Sequence, residues 1–369
     1  MNKIIHKYLI SGGGTGGHIF PAISIANALK QLDPDCEIIF IGAEGHMEMD
    51  RVPAAGYKIE GLKVEGLDRQ HILRNFKVLY NFAVSLPKAR RIIKDFQPDV
   101  AVGVGGYASA AALMVANNMN IPIVLQEQNG FAGVANKLLA KKARKICVAY
   151  TGMERFFPAD KVILTGNPIR QNLFNPDLDK KEAYDAFGLK YDIPTLLVMG
   201  GSLGAMTINN GMINGLKQFA EAGVQVIWQT GKRYFADAQK AFAQNPCDNV
   251  HVMDFISRMD YAYAVADVVA ARAGASTISE LTFLGKPAIL IPSPNVAEDH
   301  QTHNAMALAK ENAAICLPDN EAIEKLAPLA INLLLDDKRK AEIATNSKKM
   351  AQKDSAVRIA NEIIKLCKN

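Results

Sequence analysis

The sequence predicts an α/β chain of two Rossmann-like domains, each a parallel sheet covered by helices on both faces. Three observations carry that expectation. Short β-branched runs alternate with helical patterns, and each run is apolar nearly throughout, as in strands buried on two sides. Glycine-rich loops follow several of these runs directly. The series also restarts part-way. Thr195-Leu-Leu-Val-Met199 leads into Gly200-Gly-Ser-Leu-Gly204 just as Tyr8-Leu-Ile10 leads into Ser11-Gly-Gly-Gly-Thr-Gly-Gly-His18.

The size and composition agree. A chain of 369 residues exceeds one ordinary core, and 49% hydrophobic with 21% charged residues is the mix of a folded protein. The net charge of +5 is modest and does not call for nucleic acid. Five cysteines, Cys36, Cys147, Cys247, Cys316 and Cys367, form no CxxC pair, so neither zinc nor a disulfide framework is indicated and a reducing cytoplasm fits. No run approaches a membrane span and none reads as a secretory segment, which confines any membrane contact to the periphery.

In the first half, strands are expected at Tyr8–Ile10, Ile38–Ile41, Val100–Val104, Ile121–Leu125 and Ile146–Ala149. Helices are expected near 21–31, 72–96, 109–118 and 133–141. Ligands in such sheets lie beyond the C-terminal strand ends. At the first end, Gly12, Gly14 and Gly17 satisfy GxGxxG, but a glycine string meets that pattern easily, and only Glu44 stands near the end of the next strand to receive a ribose. A Walker loop is excluded because no Lys-Ser/Thr pair follows. What remains is a loop whose amides can cradle a diphosphate, with Pro21 opening a helix and His18 at the loop's edge. Histidine suits proton removal near neutrality. The competing reading of His18 is a packing residue of a first helical turn.

A second glycine loop, Gly103-Val-Gly-Gly-Tyr-Ala-Ser109, ends another strand. The third end carries Gln126-Glu-Gln-Asn129, four polar side chains that cannot all enter an apolar core without partners and so are expected to line a cleft. Glu127 and Asn129 are its functional candidates, while Gln126 and Gln128 can equally satisfy loop backbone. Between these ends, residues 69–94 hold seven bases and no acid: Arg69, Arg74, Lys77, Lys88, Arg90, Arg91 and Lys94. Ile72, Phe76, Leu79, Ala83 and Leu86 keep helical spacing for a core face, leaving Leu73, Tyr80 and Phe82 over. Such a helix is either a solvated positive face or one that lies on an anionic bilayer.

Thr165-Gly-Asn-Pro-Ile-Arg170 reads as an interdomain turn, with Arg170 able to reach a cleft. The domains are accordingly placed at 1–167 and 168–352, and an amphipathic terminal helix at about 353–369 is assigned back to the first. Further strands are expected at Val224–Trp228, Val250–Met253, Asp267–Ala271 and Ala288–Ile291. Arg272-Ala-Gly-Ala-Ser-Thr-Ile-Ser-Glu280 then joins a strand to a helix. Its small residues let backbone approach a ligand, and a helix N-terminus seats phosphate. Glu280, three residues after Thr277 and four after Ser276, shares their helix face and can accept from a ribose diol. The plain alternative is a tight turn with Ser276 as N-cap and a solvated Glu280. Ser202 is a candidate phosphate contact or a helix cap. Beyond Ile289-Leu-Ile-Pro292, Gln301 and Asn304 are read as hydrogen-bonding a sugar. Asp299, His300 and His303 without a distant ligand are weak evidence for metal, and none is expected.

Taken in order, Gly-Gly-Thr-Gly-Gly-His18, Gly-Gly-Tyr107, Glu-Gln-Asn129, Gly-Asn-Pro-Ile-Arg170, Gly-Gly-Ser202, Ala-Gly-Ala-Ser-Thr277 through Glu280 and Asp-His-Gln301 resemble the MurG family, glycosyltransferase family 28. These are peripheral-membrane enzymes that add N-acetylglucosamine to lipid I in bacterial peptidoglycan synthesis. The resemblance covers essentially the whole chain. It implies a GT-B fold with the domains facing across a cleft, no cofactor, and inverting, metal-independent transfer from UDP-N-acetylglucosamine to the muramoyl 4-hydroxyl of undecaprenyl-pyrophosphoryl-MurNAc-pentapeptide (lipid I), giving lipid II. By the same resemblance the diphosphate lies at Ser202 and the amides of Gly274, Ala275, Ser276 and Thr277. Ile256 is near uracil, Glu280 on the ribose and Gln301 on the sugar. Thr15, Gly16 and Gly17 close over the site, Tyr107 belongs to its substrate-binding motifs, Asn129 touches the sugar and Arg170 the phosphates. His18 or Glu127 is the base.

The basic-apolar patch Ile72, Leu73, Arg74, Phe76, Lys77, Tyr80, Arg90 and Arg91 would rest on an anionic membrane surface, placing the enzyme peripherally on the cytoplasmic face of the cell membrane. Two positions depart from the family pattern: Gln126 stands where many relatives have His, and Ala273 where relatives can have Ser. A UDP-sugar epimerase of the same fold, an NAD-dependent dehydrogenase using Gly12–Gly17, and an inactive sugar-nucleotide binder are the rival readings.

Overall fold

The computed structural model describes residues 5–66, 74–169, 173, 178–201, 204–296 and 299–367. The chain divides into two compact units, Met1–Arg170 with Gln352–Asn369, and Gln171–Ala351. The first runs β1 (Lys7–Ser11), α1 (Gly16–Leu32), β2 (Glu37–Ala43), α2 (Glu48–Ala54), β3 (Lys58–Leu62), α3 (Arg74–Phe96), β4 (Val100–Gly103), α4 (Tyr107–Asn118), β5 (Ile123–Glu127), α5 (Val134–Leu139), β6 (Lys145–Val148) and β7 (Val162–Leu164). The second runs α6 (Lys180–Phe187), β8 (Thr195–Met199), α7 (Met206–Glu221), β9 (Gln225–Gln229), α8 (Phe235–Gln244), β10 (Val250–Met253), α9 (Met259–Val265), β11 (Val268–Ala271), α10 (Ala275–Leu284), β12 (Ala288–Leu290), α11 (His300–Lys310), β13 (Ile315–Cys316), α12 (Ala322–Leu335) and α13 (Asp337–Lys349). The chain then re-enters the first unit as α14 (Ser355–Ile364).

Each unit holds one parallel sheet, seven strands in the order β3-β2-β1-β4-β5-β6-β7 and six in the order β10-β9-β8-β11-β12-β13. Side-chain alternation sends successive residues to opposite faces. Leu9 enters one core while Tyr8 and Ile10 enter the other, and in β8 Leu197 and Met199 part from Leu196 and Val198 in the same way. Both faces are therefore hydrophobic, which is why these strands are apolar throughout. The order reverses between β1 and β4 and again between β8 and β11, so helices leave opposite faces there and open a crevice at the strand ends.

Several elements differ from expectation. The first helix begins at Gly16, not at Pro21, which lies inside it. Strand β5 runs on to Glu127, so Gln126 and Glu127 belong to a strand and are buried rather than lining a cleft. Strand β3 and helix α2 were not foreseen. In α3 the inner face is Val78, Ser85, Ala89 and Ile93, with Phe82 and Leu86 packed beside them. Phe76, Leu79 and Ala83, expected inside, are exposed; Phe76 is 72% and Leu79 59% accessible. Ile72, Leu73, Arg170 and Ser202 lie outside the described residues, as does the side chain of Arg74.

Helix α14 packs on α1, burying Ile359, Ala360 and Ile363 among Ile25, Leu29 and Tyr8. Gly166 has φ +81°, and a Cβ there would stand 2.2 Å from Gln352 Cβ, so the returning chain needs glycine beneath it. Replacing Ile359 by Ala should destabilise the first unit by about 2–5 kcal/mol. Urea unfolding of wild type and variant measures this, and an unchanged midpoint would mean that α14 is not part of the first core.

Candidate functional site

In the first unit the loops after β1, β4 and β5 end adjacent strands and meet at the order reversal. The first two are in contact through glycine. Gly106 has φ +90°, and a Cβ on it would stand 2.7 Å from the Gly13 carbonyl oxygen. Gly105, at φ +101°, lies under the His18 ring, where a Cβ would be 2.8 Å from Nε2. No side chain fits at either place. Thr15 is the N-cap of α1 without a side-chain cap bond, and Gly16, Gly17 and His18 form its first turn. His18 Nδ1 lies 3.0 Å from the Gly13 carbonyl and 3.4 Å from Thr15 Oγ1. A carbonyl only accepts, so Nδ1 carries the hydrogen and the basic lone pair belongs to Nε2. Tyr107, the first residue of α4, is 44% exposed beside this loop pair.

The expectation that the loop's amides cradle a diphosphate is corrected at one of them. Gly14 N–H donates to the carboxylate of Glu48, a fully buried residue of α2 that the sequence reading did not single out.

Gln126, Glu127 and Gln128 are buried with partners, not set around a cleft. Gln126 Nε2 donates to Asn167 Oδ1 at 3.0 Å, Gln128 Nε2 donates to the Val104 carbonyl at 2.7 Å and also to Gln126 Oε1, and Asn167 Nδ2 donates to the Gln128 carbonyl at 2.9 Å. Gln126 is thus a link in a neutral chain of amides. Glu127 Oε2 accepts from Gly133 N–H and Asn136 Nδ2, both at 2.9 Å, and Oε1 accepts from Asn129 N–H at 3.2 Å and, more weakly, from Asn129 Nδ2 at 3.5 Å. A 2% exposed carboxylate held by these donors shapes the loop that carries Asn129. Glu127, one of the two candidate bases, is thus placed among backbone and amide donors of its own loop.

In the second unit a pocket of ≈ 460 Å³ opens at the reversal between β8 and β11, with Gly200, Gly201, Thr207, Gly274, Thr277 and Gln301 in its wall. Gly274 is the N-cap of α10 and has no side chain to cap it, so the first-turn amides keep their unpaired donors. Ser276 is not the cap. Its hydroxyl is buried without a hydrogen-bond partner among the described residues, a costly state unless a ligand supplies one. Gln301 is oriented: its Oε1 accepts from Ser293 N–H at 2.9 Å, which turns Nε2 into the group it can offer a ligand. Arg272 lines the floor and is tied to Asp319, which also accepts from Thr207 Oγ1 at 3.0 Å.

Other expected positions lie elsewhere. Ala275, Ser276, Ile256 and Glu280 are not in that wall. Glu280 is not solvated; it is 5% exposed and accepts from the Tyr263 hydroxyl at 2.9 Å. Ile256 is buried in the core and its N–H donates to Gln229 Oε1 at 3.2 Å. Asn304, expected on a sugar, is buried and donates to the Ala273 carbonyl at 3.3 Å. Gln229, missed in the sequence, joins Ile256 to the Gly201 carbonyl at 3.2 Å; a glutamine ending an apolar strand was the available signal.

Residues 8–148 match the Glycosyltransferase family 28 N-terminal domain and 195–359 the Glycosyltransferase family 28 C-terminal domain. The chain belongs to glycosyltransferase family 28. A family 28 relative from Parabacteroides distasonis is 56% identical over 361 residues, 98% of each chain; it is named UDP-N-acetylglucosamine--N-acetylmuramyl-(pentapeptide) pyrophosphoryl-undecaprenol N-acetylglucosamine transferase. The crystal structure of Acinetobacter baumannii MurG matches with TM-score 0.76 at 26% identity, over 98% of this chain and 100% of that one. The UDP-GlcNAc 2-epimerase of Neisseria meningitidis, at TM-score 0.69 and 15% identity over 97% and 100%, shares the fold alone. The two units are the Rossmann-like domains of a GT-B enzyme of family 28.

Glu127→Gln should lower stability by about 1–3 kcal/mol, because an amide NH₂ would face buried donors and leave one unpaired. Denaturant unfolding reads the loss. A residue serving only as a base would lose turnover at unchanged stability.

Proposed function

We propose that this protein transfers N-acetylglucosamine from UDP-N-acetylglucosamine to the muramoyl 4-hydroxyl of lipid I, with inversion, giving lipid II. The observation that carries the reading is the second unit's pocket: an uncapped helix tip, with Gly274 and Thr277 in the wall, and an oriented Gln301 beside them. The names borne by the close family 28 relatives agree with it.

In this reading the α10 amides with Ser276 and Thr277 receive the diphosphate. Gln301 Nε2 donates to a sugar hydroxyl, and Glu280 and the Ile256 carbonyl serve the uridine. Arg170 and Ser202 are assigned to the phosphates and Asn129 to the sugar. The acceptor 4-hydroxyl attacks the anomeric carbon as its proton passes to His18 Nε2, and UDP departs with the bonding electrons. Negative charge grows on the leaving diphosphate, so the helix-tip donors stabilise the transition state more than the ground state.

Lipid I is anchored in a bilayer, and no described helix is long and apolar enough to cross one. The outer face of α3 supplies a peripheral contact on the cytoplasmic side. Phe76, Leu79, Tyr80 and Val84 are exposed in its first turns, and Arg90, Arg91 and Lys94 follow on the same face.

His18→Ala should cut turnover by about 10²–10⁴-fold and leave donor affinity nearly intact. The assay offers labelled UDP-N-acetylglucosamine with and without lipid I. Conversion of donor without acceptor would favour an epimerase, and normal turnover in the variant would remove His18 from the mechanism. Changing Lys77, Arg90, Arg91 and Lys94 to Gln should weaken binding to phosphatidylglycerol vesicles by about 1 kcal/mol per charge. Sedimentation with vesicles checks this, and unchanged binding would refute the membrane face.

A further inference from the structure

Glu48 sets an ionisable group where neither sheet nor donor chemistry requires one. It opens α2, is 0% exposed, and lies beneath the first glycine loop. Gly14 N–H donates to both of its oxygens at 3.1 Å, and Ala43 N–H donates to Oε1 at 3.0 Å. The approach is so close that a Cβ on Gly13 would stand 2.0 Å from Oε1, and one on Gly42 would stand 2.7 Å from Cγ. Two glycines, one in the first loop and one in strand β2, are required by this one side chain. A buried carboxylate is costly to keep, and chains do not retain one where an apolar residue would serve equally.

The Gly13–Gly14 peptide connects Glu48 to His18. Its N–H donates to Glu48, and its carbonyl, on the other side of the same planar unit, accepts from His18 Nδ1 at 3.0 Å. Hydrogen bonds in series polarise one another, so a negative charge at the N–H end makes the carbonyl a stronger acceptor. We propose that Glu48 is a positioning residue for His18, acting through this peptide. It holds the ring in the Nδ1–H tautomer and favours the imidazolium that forms when Nε2 takes a proton. A Ser-His-Asp triad places the carboxylate directly on Nδ1–H, whereas here one peptide intervenes. In the step itself the acceptor O–H bond breaks and its proton moves to Nε2. The oxygen's electron pair forms the new glycosidic bond, and UDP leaves with the old one. The Nδ1 hydrogen stays on the ring and Glu48 exchanges no proton in the step.

This inference rests on His18 being the base, and the two can fail separately. The experiment uses the full-length enzyme with ring-¹⁵N histidine, His18 being assigned by the signals lost in His18→Ala. In wild type at alkaline pH the neutral His18 ring should be in the Nδ1–H form. Glu48→Gln should move it toward the Nε2–H form that free imidazole prefers, and lower kcat by about 10–100-fold, as loss of outer-sphere histidine partners does. KM for UDP-N-acetylglucosamine should change by less than about twofold. Glu48→Asp keeps the charge and serves as the second variant if Gln disturbs folding; it should retain the Nδ1–H form and recover part of kcat. An unchanged tautomer in Glu48→Gln would overturn the relay, and so would loss of kcat equal in the Asp and Gln variants. Undiminished turnover in His18→Ala would instead sink the assignment of the base, while the nitrogen shifts still report whether the link exists.

Discussion

Backbone pressed against backbone is the constraint on which both sites depend. Gly106 lies on the Gly13 carbonyl in the first unit, and in the second a Cβ on Gly204 would stand 2.2 Å from the Thr230 carbonyl oxygen. Adjacent parallel strands end about 5 Å apart, so loops leaving them can share a site only if side chains are absent at the crossing. What such loops then present is peptide dipole and helix tip. These suit a diphosphate, whose charge they meet with fixed donors that need no rearrangement.

The same crowding explains why so many polar groups are buried here and why most of them are paired. Behind the β5 loop, Gln126, Gln128, Asn136 and Asn167 exchange hydrogen bonds with each other and with backbone. An uncharged glutamine at position 126 fits that chain of amides without a protonation state to maintain. Three of the buried carboxylates have three different partners: Glu127 holds a loop, Glu280 accepts from Tyr263, and Glu48 grips the glycine string. Only the last reaches a histidine through a single peptide.

The strands buried on two faces were legible because nothing but continuous apolar sequence can occupy them, and the glycine loops because they punctuate those runs. Strand β3 was not legible. It is an edge strand whose Lys58 and Glu60 face solvent, so it lacks that signature, and α2 is only 7 residues long with Pro53 inside. The face of α3 was misread for a related reason. Apolar residues occur all around the helix, and which side goes inward is decided by the packing of Val78, Ala89 and Ile93, not by the spacing of its aromatics. Pro21 gave a false helix start because the true first turn is Gly16-Gly17, two residues of poor helix propensity that the site needs. Site residues were legible where polar groups follow apolar strands. Whether they face a ligand or one another was not, since the partners of Glu127 and Glu48 come from other turns of the chain.

The position of α3 carries one more consequence. It packs on α4, and α4 begins with Tyr107 at the second glycine loop; Gly66, on the way to α3, is so close that a Cβ would stand 2.8 Å from the Tyr107 ring. The outer face of α3 and the loops around His18 therefore belong to one compact unit. On the proposed reading a lipid-linked acceptor cannot leave its bilayer, and His18 as its base has to stand at a fixed height above the surface. On the membrane reading, a helix that packs on the element bearing Tyr107 sets that height by its own seating. Its exposed aromatics then fix depth, while the arginines beyond them supply an attraction that acts before contact and fades with salt.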